Sequence, residues 1–192
     1  MLKAQLSHVA FLVTSVEKSA KITASYGFEN GPAENWEGEG TLEVYVGSSE
    51  KAGRLLLMQA VKDGAYQRAF QKRGPGLHHI AIDVPNLEEY ILQLSGSGWL
   101  LHPQSLKTIK DCKTAYLARP GIPTLIEVQE RTLPEKPLFI DRIEVSVPNS
   151  LENTLHALGV TQIQPSRDQQ TWVTCGGKRL YSANFIGIFS NT

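Results

Sequence analysis

Cysteine is scarce in this 192-residue chain: Cys112 and Cys175 stand far apart, and neither has a CxxC partner. That excludes a disulfide framework and points to a reducing, cytoplasmic setting. Net charge is missing too. Nineteen basic residues balance nineteen acidic ones, and no block of like sign draws the chain to nucleic acid or an acidic membrane. No apolar stretch approaches the roughly 20 residues of a membrane span. The opening MLKAQLSHVAFLV is apolar only briefly and has no small-residue cleavage site after it, so no signal peptide is expected. Hydrophobic residues at 41% and charged residues at 20% are ordinary for a globular protein. The length suffices to bury a core without disulfide or metal staples.

What the chain does contain is a repeat. Residues 6–13 read LSHVAFLV and residues 77–84 read LHHIAIDV. Each sets a histidine before an apolar residue and an alanine, with the alternation of a half-buried strand. The first continues into VTSVEKSAKITASYGF, predicted as a helix capped by Ser15 or Thr14 and ended by Gly27. The second continues into VPNLEEYILQLSGSGW, capped by Asn86 and ended by Gly96 or Gly98. Strand-like runs follow: TLEVYVG and RLLLMQA in the first unit, TAYLAR and TLIEVQE in the second, the latter two separated by a Pro120-Gly121 turn. The pattern predicts an α+β fold with two β-α-β-β-β units in residues 1–132, at about 1–62 and 76–132.

The two prolines of TLPEKPL mark a boundary, and residues 138–192 form a partial third βαβββ unit. IDRIEVSV repeats the opening strand, SLENTLHALGV is a short helix with Ser150 as candidate cap, and TWVTC and RLYSANFIGIF are strands around a Gly176-Gly177 turn. Arg142 stands where the other copies carry histidine, so this unit has the fold signal without the chemistry. Alone it would expose an apolar sheet face. It is therefore expected to pack on the first two units or against its counterpart in a homodimer.

The paired openings, with the closing LIEVQE, resemble the vicinal-oxygen-chelate superfamily of glyoxalases, bleomycin-resistance proteins and extradiol dioxygenases. RGPGLHHIAIDVPNLEEYI in particular is similar to methylmalonyl-CoA epimerases and lactoylglutathione lyases. The resemblance covers about residues 5–131. It implies tandem βαβββ modules forming a cupped sheet around one divalent metal ion, with His8, His79 and Glu127 as ligands by position. Two neutral imidazoles and a carboxylate suit zinc, iron, manganese, cobalt or nickel, and leave positions open for substrate. A single histidine on a strand is commonly a packing residue; equivalent histidines in both units favour ligation. His78 should face away by strand alternation and act structurally, or support the ligand from behind. His102, His156 and both cysteines read as packing or surface residues.

The resemblance also implies a fourth ligand on the last strand of the first unit, and RLLLMQA does not supply it. The matching position is Leu56, or Leu57 if the alignment slips by one; Gln59 lies at the strand end, in another register. Two histidines and one carboxylate remain, the facial set of non-haem iron(II) oxygenases. Glu43 falls where the epimerases carry a general base. It would take a proton next to a carbonyl while the cation stabilises the enolate oxygen, with Glu127 giving or accepting a proton on the other face. Alternation lets Glu43 face either the cavity or solvent.

The leading expectation is a metal-dependent isomerase or lyase acting on a chelating small-molecule substrate, CoA thioesters first among the options. An Fe(II) extradiol-type dioxygenase is the alternative, with Tyr116 and His102 as candidate distal residues. A non-catalytic binding or resistance protein is the third, and the retained histidines count against it. Ala10 stands where fosfomycin-modifying transferases place a threonine, which argues against that chemistry. Lys72, Arg73, Lys107, Lys110 and Lys113 read as solvated surface charge.

Overall fold

A computed structural model describes residues 3–187. The chain opens with β1 (Gln5–Leu12) and α1 (Val16–Ser25). The Ser15 hydroxyl accepts the Lys18 backbone N–H, and the chain leaves the helix through Gly27 at φ +82°, a conformation that favours glycine. Then come β2 (Glu34–Trp36), β3 (Thr41–Val46), β4 (Arg54–Ala60) and α2 (Ala65–Arg73). The second unit holds β5 (Gly76–Val84), α3 (Leu87–Gln93), β6 (Leu100–Leu101), α4 (Ser105–Cys112), β7 (Thr114–Ala118) and β8 (Leu125–Glu130). Asn86 caps α3 by accepting from the Glu89 N–H at 3.0 Å. Helices α2 and α4 went unpredicted. Helix α2 buries no residue fully, and its apolar stripe is short, limited to the half-buried Tyr66, Ala69 and Phe70. Helix α4 is tied down through buried Ser105, which exchanges hydrogen bonds with the Tyr116 backbone.

All eight strands form one open sheet, in the order β2-β3-β4-β1-β5-β8-β7-β6. Strand β1 is parallel to β4, β5 is parallel to β8, and β1 meets β5 antiparallel at the centre. The two units are thus related by an approximate two-fold between β1 and β5, which brings the two histidine-bearing openings side by side. One face carries Val9, Phe11, Leu55, Leu57, Ile80, Ile82, Ile126 and Val128 into a continuous apolar core. The other carries a small cluster of Ala10, Leu12, Leu56 and Met58 beneath Tyr66, Ala69 and Phe70 of α2.

Beyond the proline segment lie β9 (Ile140–Val145), a 3-10 turn at Asn149–Leu151, α5 (Glu152–His156), β10 (Ile163–Pro165), β11 (Trp172–Cys175), β12 (Lys178–Tyr181) and α6 (Ala183–Ile186). Their sheet runs β10-β9-β11-β12. The pairing differs from that of the first two units. There the last strand lies parallel beside the first; here β10, which directly follows the helix, takes that place, with β11 antiparallel on the other flank. Gly176 and Gly177, both at positive φ, make the two-residue turn between β11 and β12. Ser150 lies inside the 3-10 turn and caps no helix. The expected strand over RLYSANFIGIF ends at Tyr181 and gives way to α6, because Phe185 and Ile186 are both drawn into the core and Phe185 packs edge-on against Phe11. Ile188 and Phe189 of that run lie outside the described residues.

The C-terminal segment packs on the first two units. Ile143, Val145, Leu155, Leu158, Val173, Leu180 and Phe185 belong to the same apolar core as β1 and β5. The Trp99 indole donates to the Thr154 carbonyl and the Tyr90 hydroxyl to the Leu158 carbonyl, each at 2.8 Å. Among the described residues no helix is long and apolar enough to cross a membrane.

Candidate metal centre

Two β-bulges prepare the site. In β1, Leu6 pairs with Ile82 and His8 with Ala81, leaving Ser7 as the extra residue; in β5, Ala10 pairs with His79 and Phe11 with Leu77, leaving His78. A bulge re-aims the side chain beside it. Ser7 and His8 both reach the inner cavity, and His78 and His79 both line the outer one. Strand alternation alone put His78 on the far face, and the bulge overrides it.

His8, His79 and Glu127 converge. Their candidate ligand atoms all lie within 4.8 Å of one another. His8 Nε2 is 3.1 Å from His79 Nε2, and His79 Nε2 is 3.3 Å from Glu127 Oε2. All three residues are buried, at 8%, 4% and 9% exposure. Burial pushes the His79 imidazole down to about 4. Burial, then the neighbouring His79, Arg131 and Arg54, hold His8 well below the ordinary histidine range. Both rings are therefore neutral at neutral pH, the form that binds metal. Burial raises the Glu127 carboxyl, against hydrogen bonds from Gln129 and Tyr116.

The donor set fits a divalent cation. Bonds of about 2.0–2.1 Å from histidine nitrogen and carboxylate oxygen at tetrahedral or octahedral angles require donor separations of about 2.8–3.4 Å, and the two short distances fall in that range. Outer partners orient the donors as well. Gln129 Nε2 donates to Glu127 Oε1 at 2.8 Å, and the Tyr116 hydroxyl lies 3.4 Å from the same oxygen. His79 Nδ1 meets His78 Nδ1 at 2.9 Å. If His79 Nε2 serves as ligand, its proton sits on Nδ1 and is donated to His78. Burial lowers His78 to about 3, which keeps that acceptor lone pair available.

The sheet register decides the fourth position. Ala81 pairs with Glu127 across β5 and β8, and its counterpart Ala10 pairs with Leu56 across β1 and β4. Leu56 is therefore the equivalent of Glu127 and lines the inner cavity; Leu57 points into the core on the other face. Gln59 is occupied elsewhere, accepting the Val16 N–H at the start of α1 at 3.0 Å.

Comparison with solved structures agrees with this architecture. A hypothetical protein from Bacillus halodurans superposes with a TM-score of 0.55 at 21% identity, over 70% of this chain and 99% of its own. Methylmalonyl-CoA epimerase from Mycobacterium tuberculosis gives 0.52 at 20% identity, over 67% and 88%. A methylmalonyl-CoA epimerase in complex with methylmalonyl-CoA gives 0.50 at 19%, over 67% and 96%. The fold is that of the vicinal-oxygen-chelate proteins. No family model and no curated protein matches the sequence.

Within the cup an inner cavity of about 290 Å³ is lined by His8, His79 and Glu127 together with Glu43, Tyr45, Arg54, Tyr116 and Arg131. Glu43 is buried at 7% exposure and accepts the Thr41 hydroxyl at 2.7 Å. Of its two alternatives, it takes the cavity. Burial raises its carboxyl above the usual range, with smaller contributions from Glu39, Glu34 and Glu127. An outer cavity of about 530 Å³ shares His79, Tyr66 and Tyr116, and adds His78, His102 and Arg73. Arg73 is thus more than solvated charge: it lines this cavity and donates to the Pro123 carbonyl at 3.1 Å. The sequence reading missed Arg54 and Arg131. Both continue a period-two row, Arg54 with Leu56 and Arg131 with Glu127 and Gln129, and that parity was the available signal.

Proposed function

We propose that this chain is a metal-dependent isomerase or lyase that moves a proton next to a carbonyl of a chelating small-molecule substrate, in the manner of the epimerases it resembles in fold. The observation that carries the reading is a buried His8, His79 and Glu127 set sharing one cavity with a desolvated carboxyl, Glu43. A divalent cation held by those three residues would supply Lewis acidity toward the carbonyl oxygen and the enolate oxygen that develops from it. Glu43 is the base. The C–H bond breaks, its proton passes to a Glu43 oxygen, and the electron pair moves toward the carbonyl. Thr41 fixes Oε1 by hydrogen bonding and leaves Oε2 for the carbon acid. The raised affinity of Glu43 for protons brings it closer to the strength a general base needs near neutral pH. Burial holds the Tyr45 phenol up at about 12 and raises Tyr116, so neither competes for the proton. Return of the proton from a second carboxyl, for which Glu127 is the candidate, would invert the carbon.

A second reading has its own support. The three-residue set with Leu56 in the fourth place is the ligand complement of iron(II) ring-cleaving dioxygenases, and the Tyr116 hydroxyl stands beside Glu127. Two assays on one metal-loaded preparation separate the readings. Deuterium uptake from solvent into methylmalonyl-CoA supports proton transfer, whereas oxygen consumption with a catechol supports the dioxygenase. Replacing Glu43 by Gln should abolish deuterium uptake at unchanged metal content; uptake at the parent rate would remove Glu43 as the base. A preparation that holds no stoichiometric cation, even when one is supplied, would leave a binding protein.

A further inference from the structure

Helix α2 joins β4 to β5, and among the described residues no helix follows β8 in the same way before β9. The cup is therefore covered unequally. Tyr66, Ala69, Phe70 and Arg73 have the i, i+3, i+4, i+7 spacing of one helix face. The first three pack on Ala10, Leu12, Leu56 and Met58, the apolar cup face of the first unit. Arg73 reaches the second unit and donates to the Pro123 carbonyl, just before β8, at 3.1 Å. The floor that lacks a fourth ligand at Leu56 is thus roofed by α2. The half that carries His79 opens instead into the outer cavity, past Tyr116 and Leu125. The inner and outer cavities meet at Glu39, Tyr66, His79 and Tyr116, which line both. Tyr66 is the member of that ring supplied by α2. It is held from the ligand strand as well, its ring packing against the His78 imidazole with centroids 4.9 Å apart.

Building on the metal-enzyme reading, we propose that Tyr66 is a specificity-determining residue that narrows the passage between the metal chamber and the outer cavity. A chelated molecule then has its reacting head in the inner cavity of about 290 Å³ and its body in the outer one of about 530 Å³. The ligand class is an oxygen chelator whose body leaves the chelating pair as a flat or unbranched chain. A body branched at that point meets the Tyr66 ring, which is packed between α2 and His78 and yields only with strain. A close wall of this kind discriminates by what it rejects. The strands would hold the metal, and the linker between the units would choose what reaches it.

The test is titration of hydroxamates into the full-length cobalt(II)-loaded protein, followed by the visible absorption of the cobalt, with cobalt content measured on the same sample. 4-Phenylbenzohydroxamate carries two rings in line, and diphenylacetohydroxamate carries two rings branched beside the head. The linear compound should bind at least as tightly as acetohydroxamate, and the branched one about 10–100-fold more weakly than the linear one. Tyr66→Ala should close most of that gap at unchanged cobalt content, and Tyr66→Phe should keep it. Ala69→Leu adds bulk to the outer cavity from the same helix face, and should weaken the linear compound without affecting acetohydroxamate. Equal affinity of the parent for the two-ring compounds, or a gap that survives Tyr66→Ala, overturns the assignment while leaving the metal reading standing. A protein that takes up no cobalt overturns the metal reading, and this assignment with it. Thermal melts show whether each variant folds; should Tyr66→Ala not fold, unchanged binding of the linear compound to Ala69→Leu overturns the assignment.

Discussion

Replacing Leu56 by Glu tests the two-fold relation between the units and the metal site together. Leu56 is 4% exposed and packs with Ala10, Leu12 and Met58. Without metal, the variant forfeits about 1.5–3 kcal/mol of leucine burial. It also draws a carboxyl into a largely apolar cluster, at about 1–3 kcal/mol. At about 2–4 °C per kcal/mol for a chain of this size, the melting temperature should fall by about 5–24 °C. With metal, the new carboxylate stands where the two-fold places the equivalent of Glu127. Losing an outer partner of a ligand costs about 10–100-fold in affinity, so gaining a ligand should tighten zinc at least that much, or about 1.4–2.7 kcal/mol. The assay is differential scanning fluorimetry with and without zinc, plus competition against a chelator. Leu57→Glu is the control: it introduces the same charge one residue on, on the core face, where it should destabilise without any gain from zinc. If Leu57→Glu gains affinity and Leu56→Glu does not, the register argument is wrong.

Further outcomes follow from the same geometry. His78→Ala should weaken zinc binding about 10–100-fold by removing the acceptor that fixes the His79 tautomer, measured by chelator competition; an unchanged affinity would show that His78 does not orient its neighbour. In the metal-free protein the His78 and His79 ring nitrogens should keep neutral-tautomer NMR shifts at pH 5.5, because burial holds them down to about 3 and about 4. Their folded values lie below the unfolded value of about 6.5, so the unfolded chain takes up the extra protons and this part of the stability is lost as pH falls from 6.5 toward 4. The raised carboxyls Glu43 and Glu127 work in the opposite direction; the His78→Gln variant should therefore show a shallower acid loss than the parent. Removing residues 138–192 strips Ile143, Leu155, Leu158 and Phe185 from a shared core, and should abolish a cooperative melt and near-ultraviolet circular dichroism; a truncated chain that melts sharply would mean the first two units are self-sufficient.

The paired openings and their helices were legible because strand alternation, an Asn or Ser cap and a terminal glycine are all local signals. Ser15, Asn86 and Gly27 do what their residue types suggested. The convergence of His8, His79 and Glu127 was legible through the repeat, which puts His8 and His79 in equivalent places, and through the family resemblance, which pointed to Glu127. The missing information was tertiary. Nothing local distinguishes Leu56 from Leu57, and the choice came from which alanine each strand pairs with. Glu43 could have faced either way until its strand had a register beside Met58. The segment Ala183–Ile186 reads as apolar strand and folds as helix because Phe185 has a place to go against Phe11, 174 positions earlier in the chain. His78 defeated a sound rule, since alternation holds only while each residue has one partner.

That last exception governs how the site tolerates change. Ser7 and His78 are supernumerary, each inserted one step before a histidine on either side of the central seam. Their side chains matter less to the cup than the fact that they occupy a place. Deleting either would restore a regular ladder and rotate everything upstream in that strand by half a turn, while every candidate donor atom stayed encoded. The centre is therefore guarded by strand length as much as by composition, and one-residue deletions at these points should be more damaging than many substitutions around them.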